Sequence, residues 1–330
     1  MVRTKISEIE AGAVVAWSPV GDHADVIALG SKVRGGGAER TPDPTGFDPS
    51  SLVCQNGRLS NGSYLSTSNG KQEKGGTGFD DYGGELELYD LNITGGLSGG
   101  RAAAPSRLGS VKTPARFGCI AWGGGLGPGG SLAGGGSALD GTVVAGGMTD
   151  GTVNLWRPSS LLDGGDGAPL SAVDGTSPVT SVGFNPHGCS SHLLAAGTST
   201  GEVRIVDLTD PSSPTSCGPG GAGAGAGSAG GEVTRAAWNS QVSHILATSS
   251  ASGAVVVWDV RQARPWCELR AEPGAGGGVS DVAWNPVEGL HLMTGGGGGP
   301  GQLKLWDLRA STSVPLTSLD GHPGGVLGME

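Results

Sequence analysis

The chain has 330 residues, of which 66 are glycine and 20 proline, about a quarter of the total and close to the range of low-complexity sequence. Charged residues make up 15% and aromatics 5%, which excludes long charged helices and coiled coils, yet eight tryptophans call for a packed interior that a disordered chain has no use for. The net charge of −10 excludes the basic footprint of a nucleic-acid binder and gives no overall attraction to anionic lipid.

Residues 1–12 (MVRTKISEIEAG) carry no apolar signal core, and no stretch approaches the ~18 apolar residues of a membrane span, so a chain that is neither secreted nor membrane-spanning is expected. Cys54, Cys119, Cys189, Cys217 and Cys267 are odd in number, widely spaced and without a C-x-x-C pair, which suits reduced thiols better than disulfides or a zinc site. The first element, Val15-Ala16-Trp17-Ser18-Pro19, is an apolar pair and an aromatic stopped by Ser-Pro, where proline has no N–H to give a strand ladder. Residues 31–83, rich in Gly, Ser, Asn and Thr, follow as an expected flexible insertion. Leu86-Glu87-Leu88-Tyr89-Asp90 then alternates as a strand ending in aromatic-Asp.

The same two signatures then recur in strict alternation. The apolar-small-aromatic signature returns as Ile120-Ala121-Trp122, Val182-Gly183-Phe184-Asn185-Pro186, Ala236-Ala237-Trp238-Asn239 and Val282-Ala283-Trp284-Asn285-Pro286. The alternating signature returns as Val153–Arg157 (with Trp156), Val203–Asp207, Val255–Asp259 (with Trp258) and Leu303–Asp307 (with Trp306). Between them lie short runs of small and apolar residues: Val143–Gly147, Leu193–Gly197, Ile245–Ser249 and Leu292–Gly295. Residues 123–140 and 211–231, almost all small residues, are further expected flexible insertions. Without insertions the period falls to roughly the 40–45 residues of a WD-type blade. The reading is therefore all-β: a WD-repeat β-propeller occupying residues 1–330, with five complete blades and the start of a sixth at Gly321-His322 and Gly324–Glu330. An unfinished ring leaves strand edges bare, so poor folding or self-association is expected of the isolated chain.

Trp17, Trp122, Trp156, Phe184, Trp238, Trp258, Trp284 and Trp306 are the expected structural aromatics between blades, with Asp90, Asp207, Asp259 and Asp307 ending the third strands. Thr149-Asp150-Gly151, Thr200-Gly201 and Ser252-Gly253 mark hairpins in which glycine supplies positive φ. No catalytic, cofactor or metal site is predicted. Ser98 and Ser199 fit G-x-S-x-G by chance in so glycine-rich a chain, and Ser199 sits in a predicted hairpin where a hydrolase needs a strand-to-helix elbow. The six histidines show no metal-binding spacing.

Lys5–Ile9 with Ala16–Pro19, the segment Glu85–Asp90 and above all Ala237–Ser250 (AWNSQVSHILATSS) resemble the large outer-cage subunit of the COPII vesicle coat, the Sec thirty-one family. Leu305–Ser311 and Gly321–Leu327 continue the resemblance, and Phe184 and Arg157 depart from it. It implies a seven-bladed propeller in the full protein, followed by an α-solenoid and a proline-rich tail. It further implies a scaffold at the vertices of a cage that buds vesicles from the endoplasmic reticulum. The implied partners are a small WD-repeat propeller subunit bound by a segment beyond this chain, further copies of the chain at vertices, and inner-coat subunits. The implied location is cytoplasmic, peripheral to membrane at endoplasmic reticulum exit sites and coated vesicles. A rival reading rests on Trp258-Asp259-Val260-Arg261 and Trp306-Asp307-Leu308-Arg309, which resemble the adaptor-docking box of substrate receptors for cullin-type ubiquitin ligases. The simpler account of Arg261 and Arg309 is that each bonds a carbonyl or the motif aspartate at a blade corner.

Overall fold

The computed structural model describes residues 13–19, 25–31, 83–91, 105–124, 138–162, 167–217, 231–270, 278–296, 301–322 and 324–329. These residues form five four-stranded antiparallel sheets, each built from four strands consecutive in the chain. Blade 1 comprises β1 (Ala13–Trp17), β2 (Val26–Ser31), β3 (Gly84–Asp90) and β4 (Ser106–Thr113). Blade 2 comprises β5 (Phe117–Gly124), β6 (Thr142–Met148), β7 (Val153–Trp156) and β8 (Ser171–Val173), with a short helix α1 (Pro158–Leu162) between its last two strands. Blade 3 has β9 (Val179–Phe184), β10 (Leu193–Thr198), β11 (Val203–Asp207) and β12 (Asp210–Cys217). Blade 4 has β13 (Val233–Trp238), β14 (Ile245–Ser250), β15 (Ala254–Asp259) and β16 (Arg264–Arg270). Blade 5 has β17 (Val279–Trp284), β18 (His291–Gly296), β19 (Gly301–Asp307) and β20 (Thr317–His322).

In blades 2, 3 and 4 the second and third strands are buried on both faces because each of these blades is pressed between neighbours, which explains runs such as Val255-Val256-Val257-Trp258. First strands of consecutive blades lie against one another, so the four repeated seams form the core. At the seam between blades 4 and 5, Val255, Val257 and Leu269 meet Val279, Val282, Leu292 and Trp306. None of these is more than 7% exposed, and each large side chain is worth about 1.5–3 kcal/mol of burial. The corresponding face of blade 5 has no described blade beyond it: Leu319 stands where Leu269 stands in blade 4 and is 54% exposed against 1%. Gly324–Met329 lies alongside β17 as a further first strand would. Val326 N–H donates to the Gly296 carbonyl, Ser280 Oγ donates to the Val326 carbonyl, and Met329 N–H donates to Asp281 Oδ2.

The expected hairpin glycines are in place, with Gly151, Gly201 and Gly253 at φ +97°, +87° and +90°. Parts of all three expected insertions belong to strands or turns. Residues 211–217, placed in the 211–231 insertion, belong to β12, with Val203 opposite Cys217 and Ile205 opposite Thr215. Pro211 and Pro214 disguised this strand, but an outermost strand has a free edge that needs no N–H donor. In the 123–140 segment, Gly123 and Gly124 extend β5 opposite Val143 and Thr142, and Ala138–Gly141 forms a 3₁₀ turn with Leu139 2% exposed. Ser31, taken as the start of the first insertion, closes β2 and accepts the Glu85 N–H on its Oγ. Residues 32–82, 125–137 and 218–230 of the three insertions lie outside the described residues.

Candidate interaction surface

Two first-strand tryptophans stitch their blade to the one before. Trp238 Nε1 donates to the Gly183 carbonyl at 2.9 Å, and Trp284 Nε1 donates to the Ala237 carbonyl at 3.0 Å. Phe184 has no N–H to give, and its ring instead fills the space over Gly123, where a Cβ would strike it. Trp122 is 8% exposed and its Nε1 has no partner among the described residues. Trp17, expected between blades, is 47% exposed. No described blade precedes β1.

Asparagines after the first strands work in the forward direction. Asn185 Nδ2 donates to the Ser243 carbonyl at 2.6 Å and Asn239 Nδ2 to the Gly289 carbonyl at 2.7 Å, while their Oδ1 atoms accept local N–H groups. Each Asn therefore ends its strand and ties it to the next blade. A hydroxyl column does the same at the other end of these strands: Thr180 Oγ1 donates to the Val233 carbonyl and Thr234 Oγ1 to the Val279 carbonyl, each at 2.6 Å. The sequence reading missed this column, whose signal is a Thr or Ser one residue after the first valine of β9, β13 and β17.

The third-strand tryptophans are sealed inside. Trp258 Nε1 donates to Thr248 Oγ1 at 2.8 Å and Trp306 Nε1 to Thr294 Oγ1 at 3.1 Å. Trp156 is equally buried, yet Gly146 occupies the threonine position and the indole Nε1 has no partner among the described residues. Phe117 packs there instead, its ring 5.8 Å from that of Trp156. The aspartates that follow turn the chain. Asp207 Oδ1 accepts the Thr209 N–H, and Asp259 and Asp307 accept the N–H groups of Arg261 and Arg309. Asp90 ends β3 opposite Ser106.

Arg261 and Arg309 fold back on the motif carboxylates. Arg261 Nη2 lies 3.2 Å from Asp259 Oδ2 and Arg309 Nε 3.3 Å from Asp307 Oδ1. The side-chain bond from Arg261 holds the Asp259 carboxyl below its usual range, and the backbone bond from Arg309 does the same for Asp307. This is the corner arrangement of the simpler account, and the adaptor-docking reading finds no support. Among the described residues no group of three or more His, Cys, Asp or Glu side chains is placed to hold a metal ion. Ser199 lies in the β10–β11 hairpin; Ser98 lies outside the described residues. No described helix is long and apolar enough to cross a membrane.

Four-stranded blades, seam tryptophans and aspartate corners together define a WD-repeat β-propeller. The chain resembles a solved chain from the outer coat vertex of COPII on membranes, with a TM-score of 0.59 and 22% identity over 95% of this chain and 65% of that one. No protein-family model matches. It is 27% identical to protein transport protein SEC31 of Dictyostelium discoideum over 99% of this chain and 20% of that protein. It is 33% identical to protein transport protein SEC31 of Chaetomium globosum over 74% of this chain and 17% of that protein. The chain belongs to the SEC31 family and spans about a fifth of the length of the curated relatives it matches.

Proposed function

We propose that this propeller is a structural scaffold of the COPII outer coat, a protein–protein contact module at cage vertices during vesicle budding from the endoplasmic reticulum. The observation that carries this reading is sequence similarity to SEC31 along almost the whole chain, 99% of it in one relative. The architecture suits the role: five blades joined by buried tryptophans and backbone-directed Asn and Thr side chains make a stiff element, as a cage corner requires. The chain works here by binding and not by catalysis. Its proposed partners are other copies of the same protein at vertices, the inner-coat subunits, and the small WD-repeat propeller subunit, held by sequence beyond this chain. It acts on the cytoplasmic face of the endoplasmic reticulum, at exit sites and on coated vesicles, and reaches membrane through coat assembly.

The test is replacement. The segment of Dictyostelium SEC31 that this chain matches is exchanged for residues 1–330, and secretion is followed in cells lacking the native copy. Restored secretion is the expected result. A chimera that folds and accumulates normally but leaves secretion blocked overturns the reading.

A further inference from the structure

Five hydroxyl residues of the chain stand directly before a proline: Ser18, Thr41, Thr113, Ser177 and Ser213. Thr41 lies outside the described residues. Ser18 is 8% exposed, and Thr113 is 6% exposed with its Oγ1 donating to the Ala115 carbonyl at 2.8 Å. Ser177 is half-buried, and its Oγ accepts the Thr200 hydroxyl at 3.3 Å. Ser213 differs from these three: it is exposed, and its hydroxyl has no partner among the described residues.

The backbone around Ser213 bows away from its sheet. In β12 Asp210 pairs with Asp207 and Thr215 with Ile205, so residues 211–214 stand opposite the single residue Val206 as a bulge. β12 is the outermost strand of blade 3, and no strand of that sheet lies beyond it. Both flanks are anchored. Thr209 N–H donates to Asp207 Oδ1, Ser216 Oγ donates to Glu202 Oε1 at 2.8 Å, and Val206 beneath is fully buried. The fold thus presents a short segment, Pro-Ser-Ser-Pro, on a fixed base and an open edge.

The sequence decides what can read this segment. Pro214 has no N–H to satisfy, and its ring holds Ser213 in an extended conformation, the form in which a peptide enters a kinase cleft. Residues 207–217 contain no Lys or Arg, and the next carboxylate after Ser213 in sequence is Glu232, so proline is the one determinant beside the acceptor. The neighbouring Ser212 is followed by serine, and its hydroxyl is committed to Asp210 Oδ1 at 2.5 Å.

We propose that Ser213 is a phosphorylation site for a proline-directed protein kinase. Its Oγ attacks the γ-phosphorus of MgATP; the Oγ–P bond forms as the bond to the bridging oxygen of the departing ADP breaks, and the hydroxyl proton passes to the kinase's catalytic aspartate. The product adds a charge of about −1.5 to −2 to a corner that already carries Asp207 and Asp210. The test incubates the full chain with MgATP and a cyclin-dependent kinase and locates phosphate by peptide mass mapping over time. Phosphate is expected at Ser213 about tenfold or more faster than at Ser18, Thr113 or Ser177, whose modification requires local opening. Ser213→Ala should remove that phosphate, Pro214→Ala should slow its addition about tenfold or more, and Ser212→Ala should leave the rate nearly unchanged. Because the bulge lies outside the paired positions, the phosphorylated chain should keep the parent's urea unfolding midpoint. Absence of phosphate at Ser213 in the folded chain overturns the proposal, and modification of a synthetic peptide of residues 207–217 alone would show that the bulge is closed to the enzyme. Equal rates at Ser177 and Ser213, or a parental rate in Pro214→Ala, overturn it as well.

Discussion

Two buried tryptophans in equivalent strands differ in one atom's surroundings, and that difference can be read as free energy. Trp258 is 2% exposed and Trp156 is 1% exposed, so replacing either by Phe opens a comparable void. Trp258→Phe also breaks the 2.8 Å bond to Thr248 Oγ1, leaving a buried hydroxyl whose remaining contact is 3.4 Å to the Val256 carbonyl. Stranding such a group costs about 1–3 kcal/mol. Trp156→Phe breaks no bond to the described residues and removes a buried N–H that has no partner among them, so its void penalty is partly offset. Trp258→Phe should therefore lose about 1–2 kcal/mol more stability than Trp156→Phe, read from the midpoint and slope of urea unfolding. Adding Thr248→Val to Trp258→Phe should recover part of the loss, because replacing both partners by apolar groups strands nothing. Equal losses for the two single variants, with no recovery in the double, would refute the reasoning.

Acid sensitivity should reside partly in the corner carboxylates. Both are held below their usual range in the fold, so each favours folding fully above about pH 4 and loses that contribution as pH falls through its lowered folded value. Asp259→Asn with Asp307→Asn should flatten the acid limb of stability against pH, and an unchanged limb would count against the corner bonds. Burial pushes the thiols of Cys217 and Cys267 up to about 11, and Cys119 is also buried, whereas Cys189 is exposed. Among the four described cysteines Cys189 should therefore be alkylated first by iodoacetamide near neutral pH, as peptide mass mapping would show. Gly109→Ala should cost about 1–3 kcal/mol by thermal unfolding, since its methyl meets the backbone of helix α1 and not a side chain that can swing away.

The blades were legible because their signals are local. Val255-Val256-Val257-Trp258 reads as a buried strand, and Asn285-Pro286 reads as its neighbour's end, without knowledge of anything distant. The fourth strands were not, because an outermost strand is free of the constraints that mark a central one. Ser212-Ser213-Pro214-Thr215 in β12 has neither apolar alternation nor a full set of N–H groups, and it pairs only because Val203 and Ile205 offer an edge. Trp266 belongs to neither recurring aromatic signature of the sequence, and in the structure the register slip between Val257 and Trp258 leaves it outside the ladder, 52% exposed. Likewise, Trp17 belongs by sequence to the expected seam aromatics, yet it is 47% exposed.

The glycine content makes the same point from the opposite side. Read as composition, so much glycine suggests slack chain, and the expected insertions were drawn from it. Several of these glycines sit in the second strands, where the next blade's leading side chain presses into the sheet. A Cβ at Gly30 would strike Phe117, at Gly147 or Gly197 it would strike Val179 or Val233, and at Gly295 it would strike Val326. Blade 4 has Ser249 at this register, and its hydroxyl bonds Thr234 Oγ1 at 2.8 Å. The glycine that lowers intrinsic strand propensity thus lets consecutive blades approach closely enough for the threonine and asparagine bonds to reach across. In these seams glycine acts as a spacing element, and the close packing of consecutive blades comes in part from residues that composition alone assigns to flexibility.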